Sequence, residues 1–164
     1  MEGNKDKVIH IFQCDGTLTP PGMTMHDKFV EFFLDWAETN DYCLLTESTI
    51  KTCKLHIPEP IIFKAKYVFG YQGKEMYKYK GLRWMKQVET IEDFKDSSEI
   101  IDLLDKEYSR YILFSHECNN RDKELVKRLL STFKCESYPV DEWKDTAIFM
   151  KRIMWDNSPS DYQW

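Results

Sequence analysis

The sequence predicts an α/β fold, a Rossmann-like three-layer sandwich with a mostly parallel central sheet. Short apolar strand patterns alternate along the chain with amphipathic helical ones, the order that builds a parallel sheet covered on both faces. Val8-Ile9-His10-Ile11-Phe12 runs into a polar turn, Asp15-Gly16-Thr17. The carboxyl end of a strand is where such domains house phosphate and metal chemistry. A length of 164 residues, 42% apolar and 31% charged, suits one soluble domain with a substantial core.

The elements follow in order. Val8 to Phe12 is the first strand, and the Thr19-Pro20-Pro21-Gly22 loop after it argues against an immediate helix. His26 to Asn40 reads as an amphipathic helix with Phe29, Val30, Phe33, Trp36 and Ala37 on one face. Asp41 to Leu45 is a strand, and Thr49 to Leu55 a short helix ended by Pro58 and Pro60. Tyr67 to Phe69 and Glu75 to Tyr79 form a hairpin, with Gly70 and Gly73 giving the turn its backbone freedom. Ile91 to Asp105 reads as a helix and Tyr111 to Phe114 as a buried strand. Arg121 to Phe133 is the clearest helix, striped by Leu125, Val126, Leu129, Leu130 and Phe133. Cys135 to Val140 closes the sheet, followed by a helix from Trp143 to Met154. Residues 1–154 are expected to form the single domain, and 155–164 a non-helical aromatic tail that folds back or meets a partner.

The bulk numbers restrict function. A net charge of −5 gives no general electrostatic reason to bind nucleic acid. Cys14, Cys43, Cys53, Cys118 and Cys135 include no Cys-x-x-Cys pair, which disfavours zinc and disulfide frameworks alike. The apolar run after Lys7 is too short for a signal peptide, and no run approaches the ~20 residues of a membrane helix. A cytoplasmic location is the expectation.

Asp15-Gly16-Thr17-Leu18-Thr19 closely resembles the first motif of the haloacid dehalogenase (HAD) superfamily, whose phosphotransferases carry Asp-x-Asp-Gly-Thr there. The order of features looks most like the phosphomannomutase branch. Tyr67-Val68-Phe69, with Gly73 and Tyr77-Lys78, resembles the strand and hairpin before that family's cap domain. Phe114-Ser115-His116 and then Asp122 resemble its Phe-Gly-Asp … Gly-Asn-Asp stretch. Ser137-Tyr138-Pro139-Val140, then Asp145-Thr146, resemble the closing strand and the start of the last helix. Only Lys80 to Thr90 is available for a cap, too little for a second domain, so the resemblance implies an open site with a small β-hairpin in the cap's place.

In the HAD phosphotransferases the leading Asp attacks phosphorus and binds Mg²⁺, while the second Asp moves the proton. Here the leading position is Gln13, a neutral carboxamide that is a poor nucleophile and offers no charge to a hard cation. The resemblance puts a metal-binding Asp where His116 stands, and imidazole suits zinc better than magnesium. Asp15, with Asp122, is left to hold Mg²⁺, and binding should be weak. Asp15 retains acid–base capacity, and it equally suits a turn whose backbone N–H groups its carboxylate accepts. Gly16 and Thr17 brace the same loop. Thr46 and Ser48 stand where the superfamily binds phosphate with a hydroxyl, and both also suit a helix cap. Lys95 lies near the family's phosphate-balancing Lys, and it equally suits a solvated helix face. An acidic residue opening a helix, such as Asp122, needs no function to explain it. His10, His26 and His56 have no partner spacing that marks a site.

Three functions remain open from the sequence. One is a catalytically impaired HAD-like protein that binds a phosphorylated small molecule or a protein partner. The second is a working Mg²⁺-dependent phosphatase or phosphomutase acting on a macromolecular substrate. The third is an interaction module with a vestigial site. Fold analogy does not choose among them.

Overall fold

The computed structural model describes residues 7–20, 22–46, 50–70, 75–81, 86–93, 98–116, 124–132 and 134–157. The central strand, β1 (Val8–Gln13), is flanked by β2 (Asp41–Leu45) and β6 (Arg110–His116), both parallel to it. On the β2 side follow β3 (Tyr67–Gly70), parallel, then β4 (Glu75–Gly81) and β5 (Lys86–Asp93), antiparallel; on the β6 side β7 (Cys135–Val140) is parallel. The order is β5-β4-β3-β2-β1-β6-β7, a parallel five-stranded core extended at one edge by an antiparallel pair.

A strand covered on both faces reads as a near-continuous apolar run, and β1 does apart from His10 and Gln13. Ile9 and Ile11 pack with Ile100 and Leu104 of α4 (Ser98–Asp105) and with Leu125, Val126 and Leu129 of α5 (Glu124–Ser131). Phe12 faces the other way, toward α1 (Asp27–Ala37), α3 (Glu59–Lys64) and α6 (Trp143–Asn157). There it stacks on Phe114 at 4.7 Å and meets Phe33 and Trp36 edge-on. In α1, Phe29, Phe33 and Trp36 recur at helical spacing and are all buried. Burying each stabilises the fold by roughly 2–3 kcal/mol. The His26 side chain caps α1 by accepting the Lys28 N–H, and Asn40 Nδ2 donates to the Trp36 carbonyl at the other end.

The structure corrects the sequence reading at four places. Lys86–Asp93 is the strand β5, so the helix expected from Ile91 begins only at Ser98 within the described residues. β4 recruits it through an antiparallel ladder whose register shifts once, between Lys78 and Tyr79, a tertiary contact that outweighs the local pattern. Pro58 and Pro60 do not only end a helix: Pro58 is the N-cap of α3 and Pro60 lies in its first turn, where a missing N–H costs nothing. The short helix α2 spans Ile50–Cys53. α6 continues through Asn157, three residues into the stretch expected to be a non-helical tail. The rest of that tail, and the start of the helix expected at Arg121, lie outside the described residues. Among the described residues no helix is long and apolar enough to cross a membrane.

Candidate functional site

From β1 the chain's parallel order runs one way through β2 and β3 and the other way through β6 and β7. Open α/β sheets bind ligands outside the carboxyl ends of the strands at such a reversal. The segment that leaves β1 there is a closed loop. The Cys14 N–H continues the ladder to the Leu45 carbonyl at 3.1 Å. The Thr17 and Leu18 N–H groups both donate to the Cys14 carbonyl, and the Gly16 N–H donates to that of Thr19 at 3.0 Å. Leu18 is fully buried beneath it. From α6, Thr146 Oγ1 donates to the Thr17 carbonyl at 2.7 Å.

Gly16 has φ +83°, and a Cβ there would lie 2.7 Å from His116 Cδ2. The loop therefore needs glycine for two reasons, the left-handed backbone and the imidazole packed against it. Gln13 ends β1 almost wholly buried, 3% exposed. Its Oε1 accepts the His116 backbone N–H at 2.8 Å, while Nε2 is buried with no partner among the described residues. An unpaired buried donor of this kind costs roughly 1–3 kcal/mol. The position thus offers N–H bonds where the resemblance implies an attacking carboxylate.

Asp15 is exposed, and its Oδ1 accepts the Gly22 N–H at 3.1 Å. It opens onto a cleft of about 230 Å³ lined by Cys14, Asp15, Thr19, Gly22, Thr46, Thr52, Cys53, His56 and Ile57. Asp15 and Thr46 are thereby brought together. Neither Gln13 nor Thr17 is in that lining, and Thr17 Oγ1 is buried and unpartnered among the described residues. Ser48, Lys95 and Asp122 lie outside the described residues. Thr19, Thr52, Cys53 and His56 were missed by the sequence reading. The Met25 N–H bond to the His56 carbonyl, 2.9 Å, fixes His56 at the cleft, and no sequence pattern announces that contact. The Nδ1 of His56 is buried without a partner among the described residues.

The Cys14 thiol is held well above the usual thiol range, first by its hydrogen bond with Cys53 and then by burial. It stays protonated and neutral. Magnesium, which the HAD resemblance implies, asks for hard oxygen donors in near-octahedral array. Around the loop the donors are one carboxylate already accepting an N–H, a carboxamide whose oxygen is committed to His116, and an imidazole. Among the described residues these do not fit Mg²⁺, and no group of three His, Cys, Asp or Glu side chains is arranged to hold a metal.

No protein-family model matches the sequence, and no curated protein matches it. Solved structures do. An IMP-bound mutant of Plasmodium falciparum IMP-nucleotidase aligns with 92% of this chain and 67% of its own at TM-score 0.63 and 10% identity. An IMP-bound, N-terminally truncated form of that nucleotidase aligns with 93% of this chain and 69% of its own at TM-score 0.62 and 9% identity. A further structure of the N-terminally truncated nucleotidase gives TM-score 0.59 at 9% identity, over 92% of this chain and 71% of its own. At these identities the likeness is one of fold. It agrees with the strand order in giving this chain the α/β, HAD-like fold expected from its sequence.

Proposed function

We propose that this chain binds a phosphorylated ligand at the cleft beside Asp15 and Thr46 without transferring the phosphoryl group. The observation that carries the reading is Gln13. Covalent transfer of the kind the HAD resemblance implies needs an ionised carboxylate aligned with phosphorus. Here the amide nitrogen has no free lone pair, and the amide oxygen is committed to the His116 N–H. Losing a covalent nucleophile costs several orders of magnitude in rate. The Thr19, Thr46 and Thr52 hydroxyls suit phosphate oxygens, and Lys95 is the cation the reading assigns against their charge. A cleft of about 230 Å³ holds a phosphoryl group and leaves the esterified part in solvent. A phosphorylated protein or a small phosphate ester fits equally.

The test pairs turnover with binding. Nucleoside monophosphates (IMP among them, since a protein of like fold binds it), sugar phosphates and phosphopeptides are offered with Mg²⁺. Phosphate release should not exceed that of buffer, while calorimetry detects saturable binding that Thr46→Val weakens. Robust release abolished by Asp15→Asn would establish the Mg²⁺-dependent phosphatase or phosphomutase instead. No binding of any phosphate ester, with a stable protein partner in a pull-down, would favour the interaction module. Gln13→Asp alone should restore little turnover, because His116 still stands where a metal-binding carboxylate is needed. Near-normal rates from that single change would remove His116 from the account.

A further inference from the structure

Two cysteines reach the cleft from separate segments. Cys14 follows β1 and Cys53 ends α2, and their Sγ atoms are 3.8 Å apart with a hydrogen bond between the thiols. Both line the cleft, 6% and 4% exposed. A disulfide needs its sulfurs about 2.05 Å apart, so the two side chains or their segments must move closer to join. α2 is a single turn of four residues, with Lys51 and Thr52 exposed. It is the wall more readily moved, since β1 is fixed by ladders on both sides.

We propose that Cys14 and Cys53 form a reversible disulfide that closes the cleft. A peroxide is the oxidant. One sulfur, as thiolate, attacks the O–O bond of hydrogen peroxide, giving a sulfenic acid and hydroxide. The second sulfur then displaces the sulfenic oxygen as water. Two thiols and one peroxide yield one disulfide and two waters, the two sulfurs losing two electrons to the O–O bond. A dithiol reverses the change. Burial and the mutual hydrogen bond keep the Cys14 thiol neutral, so oxidation is slow beside that of an exposed sensor cysteine. The bond ties the loop bearing Asp15 to α2. Its effect on phosphate binding rests on the function proposed above; its formation does not.

The test exposes the full chain to hydrogen peroxide under native conditions, blocks remaining thiols with N-ethylmaleimide and maps the peptides. The expected product is a Cys14–Cys53 linked peptide, absent from Cys53→Ala and lost with dithiothreitol. Closing this loop should raise the thermal midpoint by on the order of 10 °C. Inorganic phosphate should bind the oxidised chain roughly tenfold more weakly, a loss of about 1.4 kcal/mol. Unchanged thiols, a linkage to Cys118 or Cys135, or only irreversible sulfinic acid would overturn the proposal. If Cys53→Ala does not fold, the wild-type map decides alone. Equal phosphate binding by both redox forms would refute closure. If neither form binds phosphate, the proposed function fails. Closure is then judged by amide exchange in residues 14–19 and 50–57, where slower exchange on oxidation supports it and unchanged exchange refutes it.

Discussion

His10 and Gln13 sit three residues apart on β1, both polar and both buried, at 7% and 3% exposure. His10 Nδ1 bonds the Asp41 carbonyl at 3.1 Å, and its ring stands edge-on to Trp36 at 4.8 Å. Burial pushes its pKa down to about 4, outweighing the bond to Asp41, so the imidazole is neutral and structural. Gln13 uses its oxygen on the His116 N–H and leaves its nitrogen idle. The difference teaches that burial of a polar group does not mark a site. A hydrogen-bonding capacity left over after the fold is complete does, because native cores otherwise satisfy such groups.

The largest expected effect tests the His10 side. Its unfolded pKa is near 6.5 and its folded one about 4, so between those values the unfolded chain binds the extra proton. Stability is therefore complete above pH 6.5 and falls as the pH drops toward 4, by about 3 kcal/mol from this group. Urea titrations of the wild type and His10→Asn across that window should differ in slope; parallel pH profiles would show that the imidazole is not the group responsible.

A middle-sized effect isolates what packs against the loop beside Gln13. Gly16 and Gly22 both have positive φ, +83° and +71°, but only Gly16 has a neighbour that an added Cβ would strike. Gly22→Ala should cost about 1 kcal/mol from the backbone alone, and Gly16→Ala about 2–3 kcal/mol. The excess should shrink in a His116→Ala background, and equal costs in both backgrounds would remove the imidazole contact from the explanation.

The smallest stability change is predicted for Gln13→Leu. It leaves the His116 N–H unpaired but also deletes the idle donor, so the net cost should stay within about 1 kcal/mol. Phosphate binding in the cleft, which Gln13 does not line, should be unchanged in calorimetry. A loss of several kcal/mol in chemical denaturation would mean that the nitrogen has a partner and that the comparison with His10 is mistaken.

Much of the scaffold was legible because its signals are local. The stripe of Phe29, Phe33 and Trp36 announces α1, and the apolar run of Tyr111 to Phe114 announces β6. β5 was not legible: Lys86, Glu89, Glu92 and Asp93 crowd it with charge, and its strand state comes from the ladder to β4. Pro58 and Pro60 carry the same letters at a helix start as at a helix end, so α3 was lost. At the site, Gln13 through Thr19 could be read because they are contiguous. Cys53 and His56 could not, because their place at the cleft depends on how the segment after α2 crosses back to Met25.

The bond from the Thr146 hydroxyl to the Thr17 carbonyl joins positions 129 residues apart in sequence. On a ribosome, the loop near the amino terminus is synthesised early, yet its last strut arrives only with α6. A nascent chain halted before Trp143 would hold the β1 loop without that strut.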